Sequence, residues 1–166
     1  MAFKATEPFI VNQAIADTST TQNWPLGTVI RAVDPTYGAG EFIYLKGVAS
    51  TVVGSIVEYN STFQTGLSTT ATAGLDAPHP LAISMSANIA NQYGWYQISG
   101  QAIAVKSSAQ SLVADTGIEA SAGFAVALAT GAIINGAIVA VVASAKSGGT
   151  SVQLCINRPH DPSDVS

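Results

Sequence analysis

Charge is scarce in this chain of 166 residues: six Lys and Arg stand against ten Asp and Glu, 10% of the sequence, for a formal net charge of −4. An average soluble domain carries about 25% charged residues. Six scattered cations cannot supply the clustered Lys and Arg that replace counterions along a phosphate backbone, so nucleic acid is excluded as a partner. Cysteine is almost absent. The single Cys155 excludes an intramolecular disulfide and a thiolate metal cluster. The opening residues, MAFKATEPF, hold no apolar run suited to a signal peptide. No convincing amphipathic helix and no repeat of fixed period is evident.

What is present is apolar and neutral polar. Hydrophobic residues make up 48% of the chain, and Ser, Thr, Asn and Gln number 17, 15, 7 and 8. Low charge with that apolar fraction excludes a disordered chain. A mass of 16.9 kDa corresponds to one compact domain or two very small ones, with room for a core that needs neither disulfide nor metal. The surface implied is neutral and rich in Ala, Ser and Thr, suited to close packing against a partner.

Residues 1–24 stand apart. Phe3 and the cluster Phe9, Ile10 and Val11 sit among polar residues, and positions 17–23 contain no apolar side chain. This reads as an extended arm and linker, or as a short first strand with a surface loop. From Trp24 onward, short apolar runs alternate with glycine. Strands are expected over 28–33, 41–46, 52–59, 81–86, 95–99, 102–106 and 150–156, with a turn at 34–38 and another at 91–94. Phe42 and Tyr44 on one face of 41–46, and Ile43 and Leu45 on the other, predict a strand covered on both sides. Gly54 marks a bulge or the close approach of another backbone, and Gly100 separates two strands. Residues 60–77 read as a long polar binding loop.

Residues 122–145 carry no charge and are long enough to span a bilayer. Phe124, Val126 and Leu128 alternate with alanine there, and Asn135-Gly136 is a hairpin signal, so two buried strands are expected rather than a membrane helix. A tail over 159–166 contains prolines that should keep it out of a sheet. The reading is all-β: a compact antiparallel barrel or sandwich of about nine short strands over 25–158, with an extended N-terminal arm.

No catalytic motif rises above noise. His79 lies between two prolines with only Asp76 near in sequence, and is expected as an exposed loop histidine. Cys155 and His160 are too few for a tetrahedral metal site, and Cys155 is expected to point inward. The carboxylate pairs Asp115 with Glu119 and Glu41 with Glu58 read as surface groups. Gly38-Ala-Gly40 lacks the helix and lysine of a phosphate loop. No enzyme activity, cofactor or metal is expected. Trp24, Tyr37, Phe42, Tyr44, Tyr59, Tyr93, Trp95 and Tyr96 are core residues, interface anchors or a sugar-binding platform.

Two stretches carry a resemblance. Residues 25–47 (PLGTVIRAVDPTYGAGEFIYLKG) resemble a segment of small virion structural proteins of tailed bacteriophages. Residues 93–105 (YGWYQISGQAIAV) are similar to a Gly-Trp-x-Gln-x-x-Gly phrase of the same group. The segment 114–118 with its Ala-, Gly- and Val-rich sequel fits capsid cement, or decoration, proteins in cadence. The likeness spans about residues 25–157 and leaves out the arm. It implies a virion protein on the outer surface of the head, a homo-oligomer, commonly a trimer, that clamps neighbouring copies of the major capsid protein without catalysis. Interface candidates are Phe3, Phe9, Trp24, Tyr37, Phe63, Trp95 and Tyr96. The alternatives are a head-fibre or tail-associated protein and a β-rich carbohydrate-binding module. No membrane association is expected.

Overall fold

The fold is that of a computed structural model, which describes residues 4–5, 13–47, 51–69, 79–108, 110–129, 132–140 and 150–161. In chain order the strands are β1 (Lys4–Ala5), β2 (Val29–Asp34), β3 (Gly38–Lys46), β4 (Ile56–Tyr59), β5 (Thr65–Leu67), β6 (Leu81–Ser84), β7 (Tyr93–Val105), β8 (Glu119–Ser121), β9 (Phe124–Val126), β10 (Asn135–Val139) and β11 (Ser151–His160). There is no helix among the described residues, and the chain is all-β. One antiparallel sheet runs β1-β2-β3-β7-β6-β4-β5, with β11 also on β7 and β10 on β11; β8 and β9 form a separate hairpin.

The 13-residue strand β7 organises this sheet. Its residues 93–100 pair with β3. Ser99 pairs with Glu41 on that side and with Asn157 of β11 on the other, so β11 runs along the edge opposite β3. Tyr96 and Gln97 pair with β6, and residues 99–105 then continue along β11. Strands β6 and β11 thus follow one another along a single edge of β7.

Gly100 does not separate two strands. It lies inside one continuous strand with φ +99, and a Cβ there would collide with the carbonyl oxygen of Ala39. A left-handed backbone at that crowded point needs glycine, which lets the strand bend where its partner changes. The close approach expected at Gly54 is present, since a Cβ would lie 2.9 Å from the Ile103 carbonyl oxygen. The expected strand over 52–59 shortens accordingly to β4, and residues 52–55 close a turn through Ser55 N to Val52 O at 3.0 Å.

Both faces of β3 are covered. Ile30, Ala32, Phe42, Tyr44 and Trp95 form one cluster with Ile15 and Met85. Ile43, Leu45, Val57, Ala82, Tyr96 and Ile98 form another. Each fully buried large apolar side chain contributes about 1.5–3 kcal/mol. The third cluster fills the C-terminal half with Ala102, Ala104, Ala120, Ala125 and Ala137 among Ile, Val and Leu.

The turn at 34–38 forms as expected. Asp34 Oδ1 accepts the amides of Thr36 at 2.7 Å and Tyr37 at 3.0 Å, the side chain standing in for a backbone turn. Within the expected loop 60–77, residues 65–67 instead form β5 against β4, and residues 70–77 lie outside the described residues.

The tail differs from expectation: β11 runs through Pro159 to His160. Arg158 has φ +46, and the pairing with β10 slips between Asn135 and Ala137. Proline is tolerated at such a bulge because no ladder amide is missed. Asn135-Gly136 is the other side of that bulge and not a hairpin turn. The tight hairpin is at Ala122-Gly123, joining β8 to β9 with φ of 48° and 82°.

The N-terminal segment is tied to this body. Lys4 and Ala5 pair with Val33 and Ala32, and Ser19 bridges Tyr93. Gln13 is buried and all its amide atoms are used. Its Nε2 donates to the carbonyls of Asp17 and Tyr93, and its Oε1 accepts the Tyr44 hydroxyl at 2.7 Å and Asn23 Nδ2 at 3.1 Å.

Candidate functional site

The aromatic residues singled out by sequence divide between interior and surface. Trp95 and Tyr96 are 1% and 0% exposed. Successive residues of a strand point to opposite faces, so each fills a different core cluster. They are therefore not surface anchors of this chain. Trp95 tilts at 58° over Tyr44 with ring centroids 4.9 Å apart, and its Nε1 donates to the Gln13 carbonyl at 3.3 Å. Half-buried Trp24 covers Trp95 at 6.2 Å. Half-buried Phe63 packs on the opposite cluster, so the two do not meet. Tyr37 is half-buried in the β2–β3 turn. Phe3 and Phe9 lie outside the described residues. A flat sugar platform of Trp24, Trp95 and Tyr96 is not formed, because two of the three are interior.

Burial holds the Tyr44 and Tyr96 phenols protonated above their ordinary range, against the opposing hydrogen bonds from the Asn23 backbone and from Asn88 Nδ2.

The surface signal lies elsewhere. In the C-terminal half the alternation expected of two buried strands does not say which set faces inward, and around β9 and β10 several large residues face out. Ala125 is fully buried while Phe124 and Leu128 are 42% and 43% exposed. Ala137 and Val139 are buried while Ile138 is 45% exposed. Cys155 is also exposed, correcting its expected inward placement. Parity explains it: Val152, Leu154 and Ile156 face the interior, so Cys155 cannot.

Two of these outward residues, Ile138 and Cys155, adjoin. Ile138 pairs with Cys155 across β10–β11 and bridges Gly117 on its other side. Ile133, exposed at 41%, lies over Gly117, where a Cβ would stand 2.7 Å from its Cγ2. The result is a strip of apolar surface across three chain segments. Large apolar residues placed together on a surface mark interaction sites more often than singly scattered ones.

The carboxylates do not assemble as paired in sequence. Glu41 is held by Arg31 at 3.2 Å and Arg158 at 2.9 Å. Glu119 is buried and accepts the Ala129 amide at 3.0 Å, while Asp115 is exposed on a turn. His79 is half-buried, not an exposed loop residue, and stands beside Glu58 and Asp161. Beside β9 runs an open groove of about 680 Å³ lined by Lys106, Ser107, Ser121 and Phe124. The buried Lys106 ammonium is turned to the carbonyls of Gln110 at 2.8 Å and Ser107 at 3.4 Å.

The outward strip could not be found by sequence patterning alone, because alanine and phenylalanine both count as apolar. No family model matches this chain, and neither a curated protein nor a solved structure matches it.

Proposed function

We propose that the protein is a capsid decoration, or cement, protein of a tailed bacteriophage. It binds the outer surface of the head as a homotrimer and clamps neighbouring major capsid subunits, without catalysis. The observation that carries this reading is the apolar strip of Ile133, Ile138 and Cys155, set on a chain with 10% charged residues. Such a surface has little charge to desolvate on close packing, and depletion of charge is characteristic of interface cores. Repetition of the strip around a symmetric trimer multiplies weak contacts into firm attachment. The resemblance over residues 25–47 and 93–105 supports the same class. The carbohydrate-binding alternative loses its candidate platform with the burial of Trp95 and Tyr96.

Light scattering on the pure chain and cosedimentation with heads lacking it test the reading together. A trimer that pellets with heads, and still does so at about 0.5 M salt where exposed charges are screened, is the expected outcome. A monomer that stays in the supernatant would overturn it.

A further inference from the structure

Three distant chain segments converge where β6 meets β11. Tyr59, at the end of β4, donates its amide to the Pro80 carbonyl at 3.0 Å. Pro80 forms a bridge with His160, and the Asp161 amide donates to the His79 carbonyl at 3.0 Å. These backbone bonds bring one ligand-type atom each from Glu58, His79 and Asp161 to within 4.8 Å of one another. Opposite Glu58 on β5 stands Gly66, where a Cβ would lie 3.1 Å from Glu58 Oε1, so the missing side chain leaves room for the carboxylate.

A second observation sets this group apart from an ordinary acidic cluster. Asp161 is only 4% exposed, and its Oδ1 is buried with no hydrogen-bond partner. A buried, unpartnered carboxylate oxygen is costly unless a cation or donor meets it. No arginine or lysine takes that role among the described ion pairs, both of which go to Glu41.

We infer that Glu58, His79 and Asp161 form a binding site for one divalent transition-metal cation of the Zn²⁺ class. One imidazole nitrogen with two carboxylate oxygens is a donor set that suits zinc, and three protein ligands leave further positions to water. Ligand atoms about 2.0–2.2 Å from a tetrahedral ion stand about 3.3–3.6 Å apart. The three groups lie within 4.8 Å of one another, so binding requires only side-chain adjustment to close on the ion. Its effect is structural. It fastens the end of β11 to the end of β4 and the start of β6, where the two halves of the sheet adjoin. This site does not depend on the decoration reading.

The test is calorimetric titration of ZnCl₂ into the chelator-stripped full chain, with thermal melts at rising zinc concentration. One ion per chain and a melting temperature that climbs with free zinc are expected. Asp161→Asn and His79→Ala should weaken binding at least tenfold, while Cys155→Ser leaves it unchanged. Should either site variant fail to fold, Co²⁺ substitution in the native chain reads the same ligands. Visible d–d bands without a near-ultraviolet thiolate band are expected. No saturable binding, binding undiminished in folded Asp161→Asn and His79→Ala, or a thiolate band pointing to Cys155 would overturn the site.

Discussion

The two halves of β7 are built on opposite plans. Over residues 93–99 the strand lies between β3 and β6, and its large side chains, Trp95, Tyr96 and Ile98, are spent entirely on the interior. Over residues 100–105 it lies against β11, and the side chains it buries are Ala102 and Ala104. The strands beyond follow suit, burying Ala120, Ala125 and Ala137 while Phe124, Leu128 and Ile138 face outward. The first plan fills its core with aromatic side chains; the second interleaves alanines with Ile, Leu and Val and sets Phe124, Leu128 and Ile138 on the outside. On the decoration reading proposed above, these outward side chains of the second plan are the surface available for attachment.

The sharpest way to break this comparison is to empty the aromatic half. Trp95→Ala removes a side chain that touches Trp24 and Tyr44 and bonds the Gln13 carbonyl. Urea unfolding should show a loss of about 3–5 kcal/mol; a loss under about 1 kcal/mol would contradict the packing. Smaller, and specific to the N-terminal segment, is Gln13→Ala. It removes the acceptor of the buried Tyr44 hydroxyl proton and should cost about 1–3 kcal/mol. An unchanged unfolding midpoint would mean that residues 13–23 do not brace the sheet.

A pH dependence follows from the same half. In the unfolded chain tyrosines ionise at about 10, whereas burial holds Tyr44 and Tyr96 protonated above that value. Above pH ~10 the unfolded state therefore releases protons that the folded state keeps, and stability falls as pH rises. Urea midpoints measured from about pH 8 to pH 11 should decline past the ordinary tyrosine range. Tyr96→Phe should flatten that decline, and an equal slope in the variant would remove Tyr96 from the account.

How much of this was legible depended on residue size and on distance along the chain. The doubly covered strand β3 could be read because Phe42, Ile43, Tyr44 and Leu45 are all large, so neither face has another use. The Asp34 turn could be read because its bonds are local. Residues 122–140 could not, since an alternation of alanine with phenylalanine or isoleucine has the right period but does not say which set faces inward. Only the neighbours Ala102 and Ala104, already packed with Leu154 and Ile156, decide it. The grouping of Glu58, His79 and Asp161 was hidden for another reason. It is made by backbone bridges among strand ends far apart in the chain, and Pro159 appeared to exclude the last of them from the sheet.

The smallest effect on stability should carry the largest effect on attachment. Ile138→Ser changes an outward side chain with a half-exposed surface, and should shift unfolding by about 1 kcal/mol. Cosedimentation of this variant with heads lacking the protein, beside the native chain, tests the attachment role of that surface most directly. The account predicts a folded protein whose attachment is weakened about tenfold, equivalent to about 1.4 kcal/mol. A folded variant that binds heads as well as the native chain would contradict it.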